Sequence, residues 1–300
     1  MGGSPTVTRR DILWVAGAAV LGSTIETTAQ AGSLEAQVPL VVDSSVSCKN
    51  AATNFRQLGV KVVIRYYARE KQEDLPTKIL TRDEADALFD NELGVALSYQ
   101  HNNGVITSFD QKAARDAATY CLNRDARGGK DPRNEGLIKH PDGTVVYFGI
   151  DNNFPPQTKL KNGDISHNDD IILAYFKTIG DMFKKSPFRV GVYGSGRFCR
   201  MLAKENLASH FWVPGSTAWS ETPEFYNGRN NVPPWNMYQK AVEVPLAGIR
   251  VDTNILNPKA AGIIGAFGRD RLIDPLDDGA LLAKERFLTR RETLLDVSLR

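Results

Sequence analysis

From residue 39 onward, short runs of β-branched and aromatic residues recur, each followed by a polar loop and then a longer stretch whose apolar positions repeat at helical spacing. The runs predict strands over 39–43, 60–67, 94–100, 144–151, 188–194, 210–213, 235–239 and 248–253. Between them the pattern predicts helices over 81–91, opened by a Thr81/Glu84 capping box, and over 109–123, 168–184 and 195–206. The connections after the sixth and seventh strands are rich in Pro, Gly and Trp, so irregular or missing helices are expected there.

Apolar strands that alternate with helices indicate a parallel sheet buried on both faces. An open doubly wound sheet would carry a glycine-rich phosphate turn after its first strand, and the turn here is Asp43-Ser44-Ser45-Val46-Ser47. The expected fold is therefore α/β, a (β/α)8 barrel of the TIM type over residues 32–265, for which a mature chain of about 270 residues is an ordinary size. Residues 266–300 are charged and are expected to form a C-terminal extension with a helix over 279–295.

The first residues carry a different signal. Thr8-Arg9-Arg10-Asp11-Ile12-Leu13 places an arginine pair before an apolar pair, the address read by the twin-arginine translocase. An Ala/Gly-rich apolar run over 14–22 follows, and Ala29-Gln30-Ala31 is a small-x-small cleavage site. The run is well short of the roughly 20 apolar residues that span a bilayer. Residues 1–31 thus predict an export leader, the translocase as a partner during export, no stable membrane span, and a periplasmic or extracellular product.

The net charge of +2 survives removal of the leader, which takes away Arg9 and Arg10 together with Asp11 and Glu26. A near-balanced charge argues against a nucleic-acid partner. Cys48, Cys121 and Cys199 form no CxxC and no Cys/His cluster at zinc spacing, so no metal and no cofactor are expected. One disulfide is permitted outside the cytoplasm, with a thiol left over.

In such a barrel, chemistry gathers at the C-terminal ends of the strands. Those ends carry Asp43, Arg65 and Tyr66, Tyr99 and Gln100, Asp151 to Asn153, Tyr193, Tyr238 and Gln239, and Asp252 to Asn254. Residues two apart share a strand face, as Arg250, Asp252 and Asn254 do, so Asp151 with Asn153 and Asp252 with Asn254 are expected to look into the mouth as pairs. Several carboxylates beside rings (Tyr66, Tyr99, Tyr193, Trp212, Trp219, Trp235) suit glycoside hydrolysis, in which one carboxyl donates a proton and another acts as base, nucleophile or charge stabiliser. Simpler roles compete: Asp43 as a helix cap, Arg65 in an ion pair with Asp43 or Asp151, and Tyr66 and Tyr193 as core filling.

Four segments in order, Val63-Ile64-Arg65-Tyr66-Tyr67, Leu80-Thr81-Arg82-Asp83-Glu84-Ala85, Val146-Tyr147-Phe148-Gly149-Ile150-Asp151 and Arg189-Val190-Gly191-Val192-Tyr193-Gly194-Ser195, resemble the glycoside hydrolase-like family known as domain of unknown function 1906. That family is similar in turn to the family 25 muramidases, barrel lysozymes that cut peptidoglycan glycan chains. The resemblance, which covers about residues 39–258, implies that Asp43, Asp151 and Asp252 line a catalytic cleft. Arg65, Tyr66, Gln100, Asn153, Tyr193, Gln239 and Asn254 are expected around it as substrate-binding residues. The muramidases carry Asp-x-Glu where this chain has Asp151-Asn152-Asn153, and an amide has no titratable proton to give. Either Asp151 or Asp43 serves as the acid, or a loop carboxylate such as Glu70 or Glu221 reaches in, or the cleft binds glycan without cutting it. The expected substrate is a cell-envelope polysaccharide or peptidoglycan; the alternatives are a glycan-binding pseudoenzyme or an envelope structural protein.

Overall fold

The computed structural model describes residues 40–70, 73–131, 134–229, 234–260 and 264–276. The expected leader at 1–31 and the helix expected over 279–295 lie outside them. In chain order the elements are β1 (Val41–Asp43), α1 (Ala52–Leu58), β2 (Val62–Tyr67), α2 (Arg82–Asp90), β3 (Gly94–Tyr99), α3 (Gln111–Asn123), β4 (Val145–Gly149), β5 (Gln157–Lys159), β6 (Ile165–His167), α4 (Asn168–Phe183), β7 (Arg189–Tyr193), α5 (Gly196–Lys204), β8 (His210–Val213), α6 (Thr222–Tyr226), β9 (Met237–Leu246) and β10 (Ile249–Leu256).

Eight strands close a barrel in the order β1-β10-β9-β8-β7-β4-β3-β2, while β5 and β6 form a separate hairpin between β4 and α4. The α/β barrel expected from the pattern is therefore present, with one strand reversed: β10 runs antiparallel to both β9 and β1. The cause is local. Leu246 pairs with Ile249 across Ala247 and Gly248, whose φ values are +52° and +83°. Two left-handed residues in a two-residue loop make the tight turn that matches strand twist, and such a turn joins antiparallel strands without a crossover helix. The connection from β8 to β9 keeps only the short α6. Helix loss thus falls where the Pro-, Gly- and Trp-rich segments were expected to cause it.

Helix starts follow capping chemistry. Thr81 accepts from the Glu84 N–H at 3.2 Å, Asp110 from the Ala113 N–H at 2.6 Å and Ser195 from the Phe198 N–H at 3.4 Å. The reciprocal half of the Thr81/Glu84 box is diverted, because the Glu84 carboxylate is bound to Arg65 instead.

The lower barrel is filled by Val41, Val62, Ile64, Ala96, Val145, Tyr147, Trp212 and Met237. Ile264, Ala266 and Phe267 belong to the same buried base. Phe267 bridges Val95, and the Tyr147 hydroxyl donates to the Ile264 carbonyl at 3.1 Å. Gly265, at φ +68°, lies so close to Val145 that a side chain there would collide with it. Ala266, Phe267 and Ile273, in the segment expected to begin a C-terminal extension, thus pack under the barrel, while residues 269–272 are exposed. All three cysteines are buried and free, so the permitted disulfide is not formed. Among the described residues no helix is long and apolar enough to cross a membrane.

Candidate functional site

The upper barrel interior is polar, and on the β1–β9–β10 side its groups are bound to one another. Alternation points Asp43 inward from β1 and Tyr66 inward from β2. The Tyr66 hydroxyl donates to Asp43 Oδ1 at 2.8 Å, Asn254 Nδ2 donates to Oδ2 at 2.8 Å, and Gln239 Nε2 lies 3.2 Å from Oδ2. Gln239 Nε2 also donates to Asp252 Oδ2 at 2.7 Å, and Gln239 Oε1 accepts from the Tyr193 hydroxyl at 3.1 Å. Asn254 Oδ1 accepts from Trp212 Nε1 at 2.8 Å. The orientations of both amides are fixed by these partners. Asp43 is only 2% exposed.

Asp252 and Asn254 reach this layer for a reason the sequence did not disclose. They are not at a strand end; the reversed β10 sets Asp252 opposite Asp43 and Asn254 opposite Val41. The β9–β10 ladder shifts register between Val251 and Thr253, and Glu243 on the facing strand takes φ +56°. Asp252 Oδ1 accepts the Glu243 N–H at 2.8 Å, so its carboxylate holds this bulge as well as Gln239. Arg250 turns away and donates to the Glu243 carbonyl at 2.6 Å.

The β3–β4 side is built differently. Gln100 Nε2 donates to Asp151 Oδ2 at 2.7 Å, whereas Asp151 Oδ1 is enclosed and has no hydrogen-bond partner among the described residues. The Asp151 N–H donates to the Asn103 carbonyl at 3.1 Å, and the Asn103 side chain donates to the Gly149 carbonyl. The loop after β3 therefore clamps the end of β4. Asn153 Oδ1 accepts the Ser220 N–H at 2.9 Å, which leaves its Nδ2 as the outward donor. The structure thus brings Asp43, Tyr66, Tyr193, Gln239, Asp252 and Asn254 into one network and Gln100 with Asp151 into a second pair, while Asn153 is tied to the Ser220 loop.

A family model, Rv2525c-like, glycoside hydrolase-like domain, matches residues 53–256. The chain belongs to this family. A solved structure of the Tat-secreted protein Rv2525c of Mycobacterium tuberculosis, in complex with L-tartrate, superposes with a TM-score of 0.51 at 17% identity, covering 73% of this chain and 96% of that one. GHIP, a glycosyl hydrolase 25 of Streptococcus pneumoniae, superposes with a TM-score of 0.42 at 10% identity over 73% of this chain and 87% of that one. Among curated proteins, the uncharacterized protein FadG of Bacillus subtilis is 25% identical over 173 residues, 56% of this chain; the match spans 27% of FadG.

In this Rv2525c-like domain the remaining expected site residues fall outside the mouth. Arg65 lies on the outer face of β2, fully buried, and pairs with Glu84 rather than with Asp43 or Asp151: Nε to Oε1 is 2.7 Å. Its other nitrogens donate to the Ser44 carbonyl and, at 2.8 Å, to the Thr77 carbonyl. Arg65 thereby ties together the loops that follow β1 and β2. Tyr99 packs outward against Phe148 and Tyr120, and Trp235 stacks on Tyr226. The loop acids are held by cations, Glu70 by Arg69 at 3.1 Å and Glu221 by Arg200 at 2.6 Å. Burial pushes the Cys48 thiol up to about 11, which removes it as a nucleophile at neutral pH. No group of three His, Cys, Asp or Glu side chains able to hold a metal occurs among the described residues. Sequence reasoning missed Lys78, which is 7% exposed with its Nζ 5.1 Å from the centroid of the Tyr66 ring. An isolated Lys in a polar loop carries no sequence signal of its own.

Proposed function

We propose that the mouth of the barrel is a glycan cleft for a cell-envelope polysaccharide or peptidoglycan, and that Asp151 is the carboxyl that meets the bond to be cut. One observation carries this reading: of the three inward carboxylates, Asp151 alone keeps an enclosed oxygen without a donor. Unspent hydrogen-bonding capacity in a buried site calls for an explanation, and chemistry is one. Asp43 and Asp252, engaged by Tyr66, Gln239, Asn254 and the Glu243 N–H, hold the floor of the cleft and supply fixed negative charge. Glu70 and Glu221 are held by arginines away from this role.

The decisive assay is release of reducing ends from purified peptidoglycan and from a panel of envelope polysaccharides, with Asp151→Asn alongside. Release by the parent that vanishes in the variant supports hydrolysis through Asp151. Release unchanged in the variant rejects it. A second reading, a glycan-binding protein that does not cut, is favoured by Asn153: its carbonyl oxygen is tied to Ser220 where the related muramidases place a proton donor. Binding without release would select it.

Export by the twin-arginine route is part of the proposal. It is supported by Thr8-Arg9-Arg10 with the small-x-small site at Ala29-Gln30-Ala31 and by the Tat-secreted status of Rv2525c. Replacing Arg9 and Arg10 by lysine should retain the chain in the cytoplasm, as fractionation would report; unaltered export would reject the route.

A further inference from the structure

We infer that a small polar cavity outside the barrel, between the loop after β3 and helices α3 and α4, binds one neutral, hydroxyl-rich molecule of the size of a single sugar ring. The inference stands apart from the reading of the mouth. The cavity has a volume of about 210 Å³. That is far above the roughly 10–15 Å³ that admits one water and below the roughly 300–1,000 Å³ of sites for drug-sized ligands, so it suits a single ring. Tyr99 on the outer face of β3, Thr107 and Ser108 in the turn Ile106–Phe109, and Tyr175 of α4 line it with hydroxyl-bearing side chains.

Tyr175 carries the argument. It is only 3% exposed, and its hydroxyl has no hydrogen-bond partner among the described residues. A buried phenol ordinarily finds such a partner. The ring is fixed by packing, edge-on to Phe109 at 5.1 Å and to Phe176 at 5.6 Å. Burial holds the phenol well above its usual pKa, so it keeps its proton and can donate as well as accept. The Thr107 and Ser108 hydroxyls likewise make no hydrogen bond among the described residues.

The charges on the same walls argue for a neutral ligand. Arg69 donates to Glu70 at 3.1 Å and to Asp116 at 3.3 Å, and Lys112 donates to Asp116 at 2.7 Å. The Asp110 carboxylate caps α3. Charge is thus spent inside the protein, whereas the hydroxyls of Thr107, Ser108 and Tyr175, each a donor and an acceptor, are not. Sugar hydroxyls also both give and take hydrogen bonds, and so match them. The cavity lies back to back with the mouth: His101 lines it, while the preceding Gln100 donates to Asp151 and Asn103, two residues on, clamps the end of β4. An occupant therefore touches, from its outer side, the loop that holds Asp151.

The test is a titration of the isotopically labelled full chain with glucose, galactose, mannose and N-acetylglucosamine, one at a time, followed by NMR. At least one should move the amide signals of His101, Thr107 and Lys112 while those of Asp252 and Asn254 stay in place. Tyr175→Phe removes only the unpartnered hydroxyl, so the variant should fold as the parent does. It should weaken the binding by about three- to tenfold, the worth of one neutral hydrogen bond. Asp151→Asn, on the mouth side, should leave the binding in place. No shift with any of the four sugars overturns the inference, as does binding that Tyr175→Phe leaves intact. Shifts confined to the mouth and lost in Asp151→Asn put the sugar in the cleft and overturn it as well. Inorganic phosphate that moves the cavity signals at lower concentration than every sugar makes this an anion site and overturns the neutral class. If Tyr175→Phe fails to fold, Ser108→Ala, which also removes one unpartnered hydroxyl, decides in its place.

Discussion

Asp43 and Asp151 look into the same barrel from opposite sides, and their surroundings differ in kind. Asp43 accepts from a phenol and two carboxamides, and those carboxamides are fixed in turn by Tyr193 and Trp212. Asp151 accepts from Gln100 at one oxygen and from nothing described at the other. A carboxylate at a strand end is thus not one kind of object. Where every neighbouring donor is spent on it, it is a keystone of the local structure; where capacity is left over, it is available to a ligand. The two sides should therefore respond oppositely to substitution: the β1–β9–β10 side in stability, the β3–β4 side in function.

The largest effect should come from beneath the closed side. Arg65→Met removes the cation from a fully buried pair and leaves Glu84 enclosed, while freeing the Ser44 carbonyl next to Asp43. Breaking such a pair from one end costs about 3–5 kcal/mol. Denaturant unfolding should report that loss, and a change below about 1 kcal/mol would mean that Arg65 does not brace the mouth.

Asp43→Ala should cost about 3 kcal/mol, since it strands the Tyr66 hydroxyl and the Gln239 and Asn254 amides in a buried setting. Gln239→Leu should cost less on its own. In a double-mutant cycle the two should couple by at least about 0.5 kcal/mol, because they share one network. Additive effects would dissolve the network and, with it, the contrast between the two sides.

Much of this was legible in the sequence. All eight barrel strands were, because each is a β-branched run beside turn residues, and so was the polar layer, because acids and amides recur at the strand ends. The reversal of β10 was not, since Ala247-Gly248 is an unremarkable dipeptide until its two positive φ values are known. The outward face of Arg65 follows from alternation alone, since adjacent strand residues take opposite faces and Tyr66 points inward; the expectation that places both at the mouth conflicts with that rule. Lys78 and the division of the acids into spent and unspent groups depend on loop paths and hydrogen-bond partners, for which sequence has no periodic signal.

A pH scan separates these effects from acid sensitivity elsewhere in the barrel. Burial lowers His140 to about 3 and His210 to about 4, so both are neutral in the folded state while the unfolded chain takes up protons near 6.5. With the unfolded state binding more protons, stability must fall as pH drops from about 6.5 toward 4. His140→Gln should shallow that decline. Asp151→Asn should leave it in place, and a decline that Asp151→Asn removed would place the acid-sensitive group in the mouth instead.

The smallest expected change in stability is the most informative about function. Asp151→Asn keeps the shape of the side chain and exchanges one oxygen for an amide nitrogen. With the new amide turned so that its oxygen keeps the bond from Gln100, its NH2 takes the enclosed position, where it exchanges an acceptor without a donor for a donor without an acceptor. No existing bond is broken and one unsatisfied buried atom replaces another, so unfolding free energy should shift by no more than about 1 kcal/mol, well below the loss expected for Asp43→Ala. The same exchange removes the only proton that the carboxyl could pass to a leaving oxygen, so any release of reducing ends should vanish. A loss of stability comparable to that of Asp43→Ala, with release intact, would show that Asp151 is as much a keystone as Asp43, and the two sides of the mouth would no longer differ.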